Sequence, residues 1–178
     1  MPKLIVFLTG ASGVGKTTLM EQLQLKYNAS SWAFLHFDSI GVPSLDEMIN
    51  SFGSPSNWQE QITYTWIDKL LLEIPNEVIF FEGQVNLNFI QKGFKKHNFT
   101  NYRIILIDCN EAEMTFRLIH KRKQPELLTD DMKNWLDYLR NQALNLNVPV
   151  IDTSHLSEQE VLQTFEKLID LDLNNSRV

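Results

Sequence analysis

Eight residues near the start of the chain, Gly10-Ala11-Ser12-Gly13-Val14-Gly15-Lys16-Thr17, have the spacing G-x-x-x-x-G-K-[ST], a loop that wraps its backbone around phosphate groups. Glycines allow backbone angles closed to other residues, so successive N–H groups can turn inward around an anion. Lys16 can then reach the β- and γ-phosphates, and the Thr17 hydroxyl can ligate Mg²⁺. The helix expected to start here, with Thr18 in its first turn, turns its positive end to the same anion.

The surroundings are those the loop requires. The apolar run Leu4-Ile5-Val6-Phe7-Leu8 leads into it, and Met20, Leu23 and Tyr27 follow at helical spacing. Strand, loop and helix in this order predict a nucleoside triphosphate as ligand.

Other residues that could do chemistry stand just after apolar runs. Asp38, in His36-Phe37-Asp38-Ser39-Ile40-Gly41, is the candidate general base for an acceptor hydroxyl; the simpler reading is a turn-closing aspartate. Asp38 to Gly41 also matches the short D-x-x-G of GTPases, but no N-K-x-D follows, so a GTPase switch is disfavoured. Glu82-Gly83-Gln84 supplies a carboxylate for the metal or its outer shell, a glycine where a ligand could approach the backbone, and an amide for a polar substrate. For Gln84 an ordinary polar loop is an equal alternative. Arg117, then Lys121-Arg122-Lys123, could close over the phosphates; Arg117 and Arg122 are equally readable as favourable charge at a helix C-terminus, and Lys121 and Lys123 read as solvated surface charge. Asp152-Thr153-Ser154 is expected to border the nucleotide base.

The elements that must position these groups alternate. Strand-like runs are expected at 4–9, 32–37, 78–81, 103–108 and 148–151, separated mostly by helical patterns, including 44–52 and 58–72 with Asn57 as N-cap of the second. Runs such as Val78-Ile79-Phe80-Phe81 are apolar without alternation, as in strands covered on both faces. The fold class is therefore α/β, a five-stranded parallel sheet flanked by helices, with the ligand outside the carboxyl ends of the strands. Trp58, Ile62, Trp66 and Leu70, four apart, read as a core-facing stripe.

The 178 residues suit a single domain, with a polar tail from about 173. A net charge of −6 opposes non-specific binding to nucleic acid or an anionic membrane, so neither partner is expected, and a cytoplasmic location is. The single cysteine, Cys109, reads as a small buried hydrophobe. The histidines show no metal-binding spacing.

With these residues in place, the chain resembles the small P-loop kinases, the group of nucleoside, nucleotide, shikimate, gluconate and chloramphenicol kinases, over nearly its whole length. Gly10 to Thr17 is the specific part of the likeness. The resemblance implies the three-layer P-loop NTPase fold, ATP and Mg²⁺ as cofactors, and a small-molecule acceptor. It implies Lys16 and Thr17 on phosphates and metal, Asp38 as acceptor base, and Arg117 and Arg122 as lid arginines. Glu82-Gly83-Gln84-Val85 stands where adenylate kinases carry D-G-x-P, which leaves nucleoside monophosphates open as acceptors. Oligomeric state is not legible. The alternative is a P-loop ATPase or nucleotide-dependent switch acting through a protein partner.

Overall fold

The structure is a computed structural model and describes residue 2 and residues 4–27 and 31–169; the polar tail from 173 lies outside them. Five parallel strands, β1 (Leu4–Thr9), β2 (Trp32–His36), β3 (Val78–Gly83), β4 (Tyr102–Asp108) and β5 (Val150–Asp152), form one sheet in the order β2-β3-β1-β4-β5. Among the described residues seven α-helices flank it: α1 (Lys16–Lys26), α2 (Leu45–Phe52), α3 (Pro55–Leu72), α4 (Leu87–Lys96), α5 (Glu111–Phe116), α6 (Asp130–Leu146) and α7 (Glu158–Ile169).

The absence of alternation in the strands has the expected cause. Ile5 and Phe7 of β1 join one apolar cluster with α3, α4 and α6, whereas Val6 and Leu8 join another with α1 and α7. All four are fully buried, so both faces of the strand must be apolar. Trp58, Trp66 and Leu70 are buried and Ile62 partly so, the core stripe read from their spacing.

β1 lies between β3 and β4. The helix after β1 packs with α7, and the helix after β3 packs with α3 and α6, so these neighbouring strands send their connections to opposite faces. Such a reversal opens a crevice at the carboxyl ends of the strands. The glycine-rich loop after β1 and Glu82-Gly83-Gln84 at the end of β3 both border it.

Several boundaries differ from expectation for local reasons. β2 stops at His36, and Phe37–Ile40 form a 3-10 turn. Glu82 and Gly83 lie inside β3 rather than after it, paired with Leu8 and Thr9 of β1. α3 begins three residues early: Ser54 caps it by accepting from the Asn57 N–H, and Pro55 takes the first turn, where a missing N–H costs nothing. Asn57 is therefore not the cap. β5 begins at Val150 because Asn147, at φ 51°, caps α6 and the Val148 N–H still bonds Ala143.

Gly83 does not open the backbone to a ligand, as its position suggested. A Cβ there would stand 2.4 Å from the Phe37 Cβ, so the glycine is needed for the Phe37 ring to seat. Phe37 is buried against Trp58 and Phe81, each at 6.2 Å between ring centroids, and its carbonyl accepts from Trp66 Nε1 at 3.0 Å. These contacts hold the turn that carries Asp38. Gly83→Ala is therefore expected to cost about 1–3 kcal/mol by overpacking and to displace Asp38, read as a lower urea midpoint together with a lower turnover rate.

Candidate active site

The loop after β1 is built to hold an anion. Gly15 caps α1 in the left-handed conformation, at φ 105°, with no side chain bonded to the helix end and no acidic residue in the first turn. The first N–H groups of α1 and its dipole are thus left for a ligand. Lys16 is buried and folds its ammonium back on the carbonyls of Gly10 and Ala11, 2.9 Å from each. Burial lowers its pKa from 10.5 to about 8, an effect opposed by Glu82 and Asp38 and reinforced by Arg122. Lys16 thus interacts electrostatically with Glu82, Arg122 and Asp38.

Each of the four arrives from a different element. Asp38 comes from the turn after β2, and its pKa is raised by partial burial and then by Glu82, with Lys16 acting the other way. Glu82 ends β3 and is buried; its Oε1 lies 2.7 Å from His36 Nδ1, since the two occupy paired positions on adjacent parallel strands. Arg122 is exposed, and among the described residues its guanidinium has no hydrogen-bond or ion-pair partner.

Arg117 and Arg122, equivalent in sequence terms, are placed differently. Arg117 is a clamp and not a free lid cation: it donates to Val14 O (3.0 Å), Thr153 Oγ1 (2.8 Å) and Thr153 O (2.9 Å), and pairs with Glu113 at 2.7 Å. It ties the phosphate loop to the segment after β5. From Arg117 to Lys121 the helix widens into a π-turn, in which the Arg122 N–H bonds the Arg117 carbonyl five residues back. Both arginines line the cavity beside the loop, and such a widening is a local distortion common at functional sites.

A cavity of about 480 Å³ adjoins the loop on this side, lined by Gly15, Lys16, Thr17, Arg122, Thr153 and Ser154 among others. It is large enough for a nucleotide, and its border at Thr153 and Ser154 is where the base was expected. The Thr17 hydroxyl at the exposed start of α1 and the carboxylates of Glu82 and Asp38 are hard oxygen donors, the set that suits Mg²⁺. The group fits these residues.

On the other side, Ser12 Oγ donates to Gln84 Oε1 at 3.2 Å. Gln59 of α3 straps the same loop, its Nε2 donating to Gln84 O (3.0 Å) and its Oε1 accepting from Asn86 N (3.1 Å). Thr9 Oγ1 lies 2.7 Å from Val85 O and accepts from Val85 N. Gln59, His36 and Thr153 carried no signal of these roles, because each acts across a contact distant in sequence. Cys109 is fully buried and its thiol pushed up to about 11 by that burial, so it is unreactive packing.

No protein-family model matches this chain, and no curated protein matches it. Solved structures do. Shikimate kinase from Acinetobacter baumannii in complex with shikimate superposes with a TM-score of 0.62 at 15% identity, over 98% of this chain and 95% of that one. Gluconokinase from Sinorhizobium meliloti 1021 gives a TM-score of 0.66 at 14% identity over 98% of each chain. Deoxyadenosine kinase from M. mycoides gives 0.62 at 11% identity, over 93% of this chain and 98% of that one. The chain has the fold of the small P-loop kinases. The α/β class, the parallel sheet and its flanking helices follow the expectation from sequence.

Three outcomes are expected. Arg117→Met should lower stability by about 2 kcal/mol or more, since a charged donor leaves buried acceptors unpaired, whereas Arg122→Met should leave the urea midpoint unchanged. ATP binding should restore the Lys16 ammonium, so above pH 8 binding should weaken and take up close to one proton, read by calorimetry in buffers of different ionisation enthalpy. For folding the sign is opposite to that of a partnered lysine: the unfolded chain binds more protons between about 8 and 10.5, and stability rises with pH across that window.

Proposed function

We propose that the chain is an ATP- and Mg²⁺-dependent phosphotransferase that moves the γ-phosphoryl group to a hydroxyl of a small molecule. The observation that supports this reading is the uncapped N-terminus of α1 with the buried Lys16 beside it, whose ammonium interacts electrostatically with Glu82, Arg122 and Asp38. A phosphate loop alone would serve an ATPase or a switch equally well; a carboxylate beside it, raised in pKa, is what an acceptor hydroxyl requires.

In this reading the α1 N–H groups and Lys16 hold the β- and γ-phosphates. Mg²⁺, when bound by Thr17 with Glu82 and Asp38 in its surroundings, would neutralise phosphate charge. Asp38 orients the acceptor hydroxyl and takes its proton as the oxygen bonds to the γ-phosphorus. The bond from that phosphorus to the bridging oxygen breaks, and its electron pair leaves with ADP. Lys16 and Arg122 stabilise the charge on the oxygens in flight. Arg117 keeps the loop in shape and Glu82 holds His36.

Phosphotransfer is tested by ATP consumption with Mg²⁺ against a panel of hydroxylated metabolites, with an acceptor-free control. Acceptor-dependent consumption is expected. Asp38→Asn should retain ATP binding, lose transfer by about 10²-fold or more and fold no less stably, since it removes a charge that burial and Glu82 disfavour. Acceptor-independent hydrolysis, or full transfer by Asp38→Asn, would refute the assignment.

A further inference from the structure

The carboxylate of Glu82 is placed by the sheet and oriented by one neighbouring side chain. Alternate residues of a strand share a face, and paired residues of parallel strands turn their side chains to the same one. Val6, Leu8 and Phe80 join the apolar cluster that contains Leu19, Met20 and Leu23 of α1, and Phe34 packs against it. Glu82 pairs with Leu8 on one side and with His36 on the other. Lying two residues beyond Phe80 and Phe34, Glu82 and His36 therefore stand on the α1 face of the sheet, at the edge from which the phosphate loop leads to Lys16 and Thr17.

One step back along the same two strands, Phe34 and Phe80 stack with centroids 5.1 Å apart and planes 10° from parallel. Above this stack His36 Nδ1 lies 2.7 Å from Glu82 Oε1. An ionised carboxylate only accepts, so Nδ1 carries the proton and donates. Glu82 is 8% exposed, and among the described residues this is the one hydrogen bond to its carboxylate. The Lys16 ammonium does not supply a second, since it is spent on the Gly10 and Ala11 carbonyls. Without the imidazole, the carboxylate would be free to turn about its terminal bond, which has no sharp rotamer of its own.

We propose that His36 is a positioning residue for the metal: by holding Oε1 of Glu82 it keeps the other oxygen available to Mg²⁺ at Thr17. This deepens the phosphotransferase reading and rests on its placing of Glu82 in the surroundings of Mg²⁺. A hydrogen-bonding partner behind a metal's carboxylate is worth about 10–100-fold in metal affinity when it is removed.

The test is calorimetric titration of ADP into the full chain, without metal and over a series of Mg²⁺ concentrations, with urea midpoints measured alongside. The His36 side chain is 46% exposed, so His36→Leu and His36→Ala are both expected to fold. Each should raise the Mg²⁺ concentration that gives half of the gain in ADP affinity by about 10-fold or more, and leave metal-free ADP binding unchanged. His36→Asn, whose amide can donate from the place of Nδ1, should restore most of the loss. Glu82→Gln should weaken the Mg²⁺ dependence as well, and His36→Leu on that background should add nothing, because the imidazole acts through Glu82. The inference is overturned by an unchanged Mg²⁺ dependence in the Leu and Ala variants, by an equal loss of metal-free binding, by an Asn variant no better than Leu, or by His36 and Glu82 losses that add in full. A chain that shows the expected Mg²⁺ dependence and transfers no phosphoryl group leaves the role of His36 standing and counts against phosphotransfer; one that binds no ADP refutes both.

Discussion

The uncapped start of α1 is the constraint around which this molecule is arranged. A helix end with no capping side chain, no acidic residue in its first turn and a buried ammonium beside it concentrates positive potential at one point. Such a site favours an anion, and burial holds the Lys16 pKa below the ordinary lysine range, at about 8. The Gly10 and Ala11 carbonyls hold the ammonium meanwhile, and Glu82 and Asp38 offset part of its charge. A phosphate would relieve all of these strains together.

A loop under that electrostatic load must be held from outside. On one side Arg117 and Thr153 bind the Val14 carbonyl, so the loop cannot open without breaking contacts to the segment after β5. On the other, Ser12 bonds Gln84, Thr9 bonds Val85, and Gln59 straps the same segment to α3. The cavity beside the loop lies on the Arg117 and Thr153 side, where both residues line it.

Asp38, the proposed acceptor base, depends on packing behind it. Its turn is held by a ring, Phe37, that fits only because Gly83 has no side chain, and by one indole hydrogen bond from Trp66. The tryptophans of α3 thus position the site without lining it. Arg122 follows a π-turn rather than a regular helix, and Arg117, Lys121 and Arg122 all line the cavity beside the loop.

Short-range chemistry was legible in the chain itself. The phosphate loop, the helix behind it, the unalternating strands and the core stripe of α3 all depend on residues within a few positions of one another, where spacing and residue type carry the physics. The placement of Asp38 and Glu82 at strand ends was legible for the same reason, through the rule that ligands meet parallel sheets at their carboxyl edge. Tertiary structure alone decided what passes between distant segments: that Arg117 is a clamp while Arg122 has no partner among the described residues, that the space beside Gly83 is taken by Phe37, that His36 meets Glu82, and that Gln59 ties α3 to the segment after β3. Those outcomes turn on distances of 2 to 4 Å between residues 25 to 104 positions apart, and one chain's local pattern carries no record of such separations.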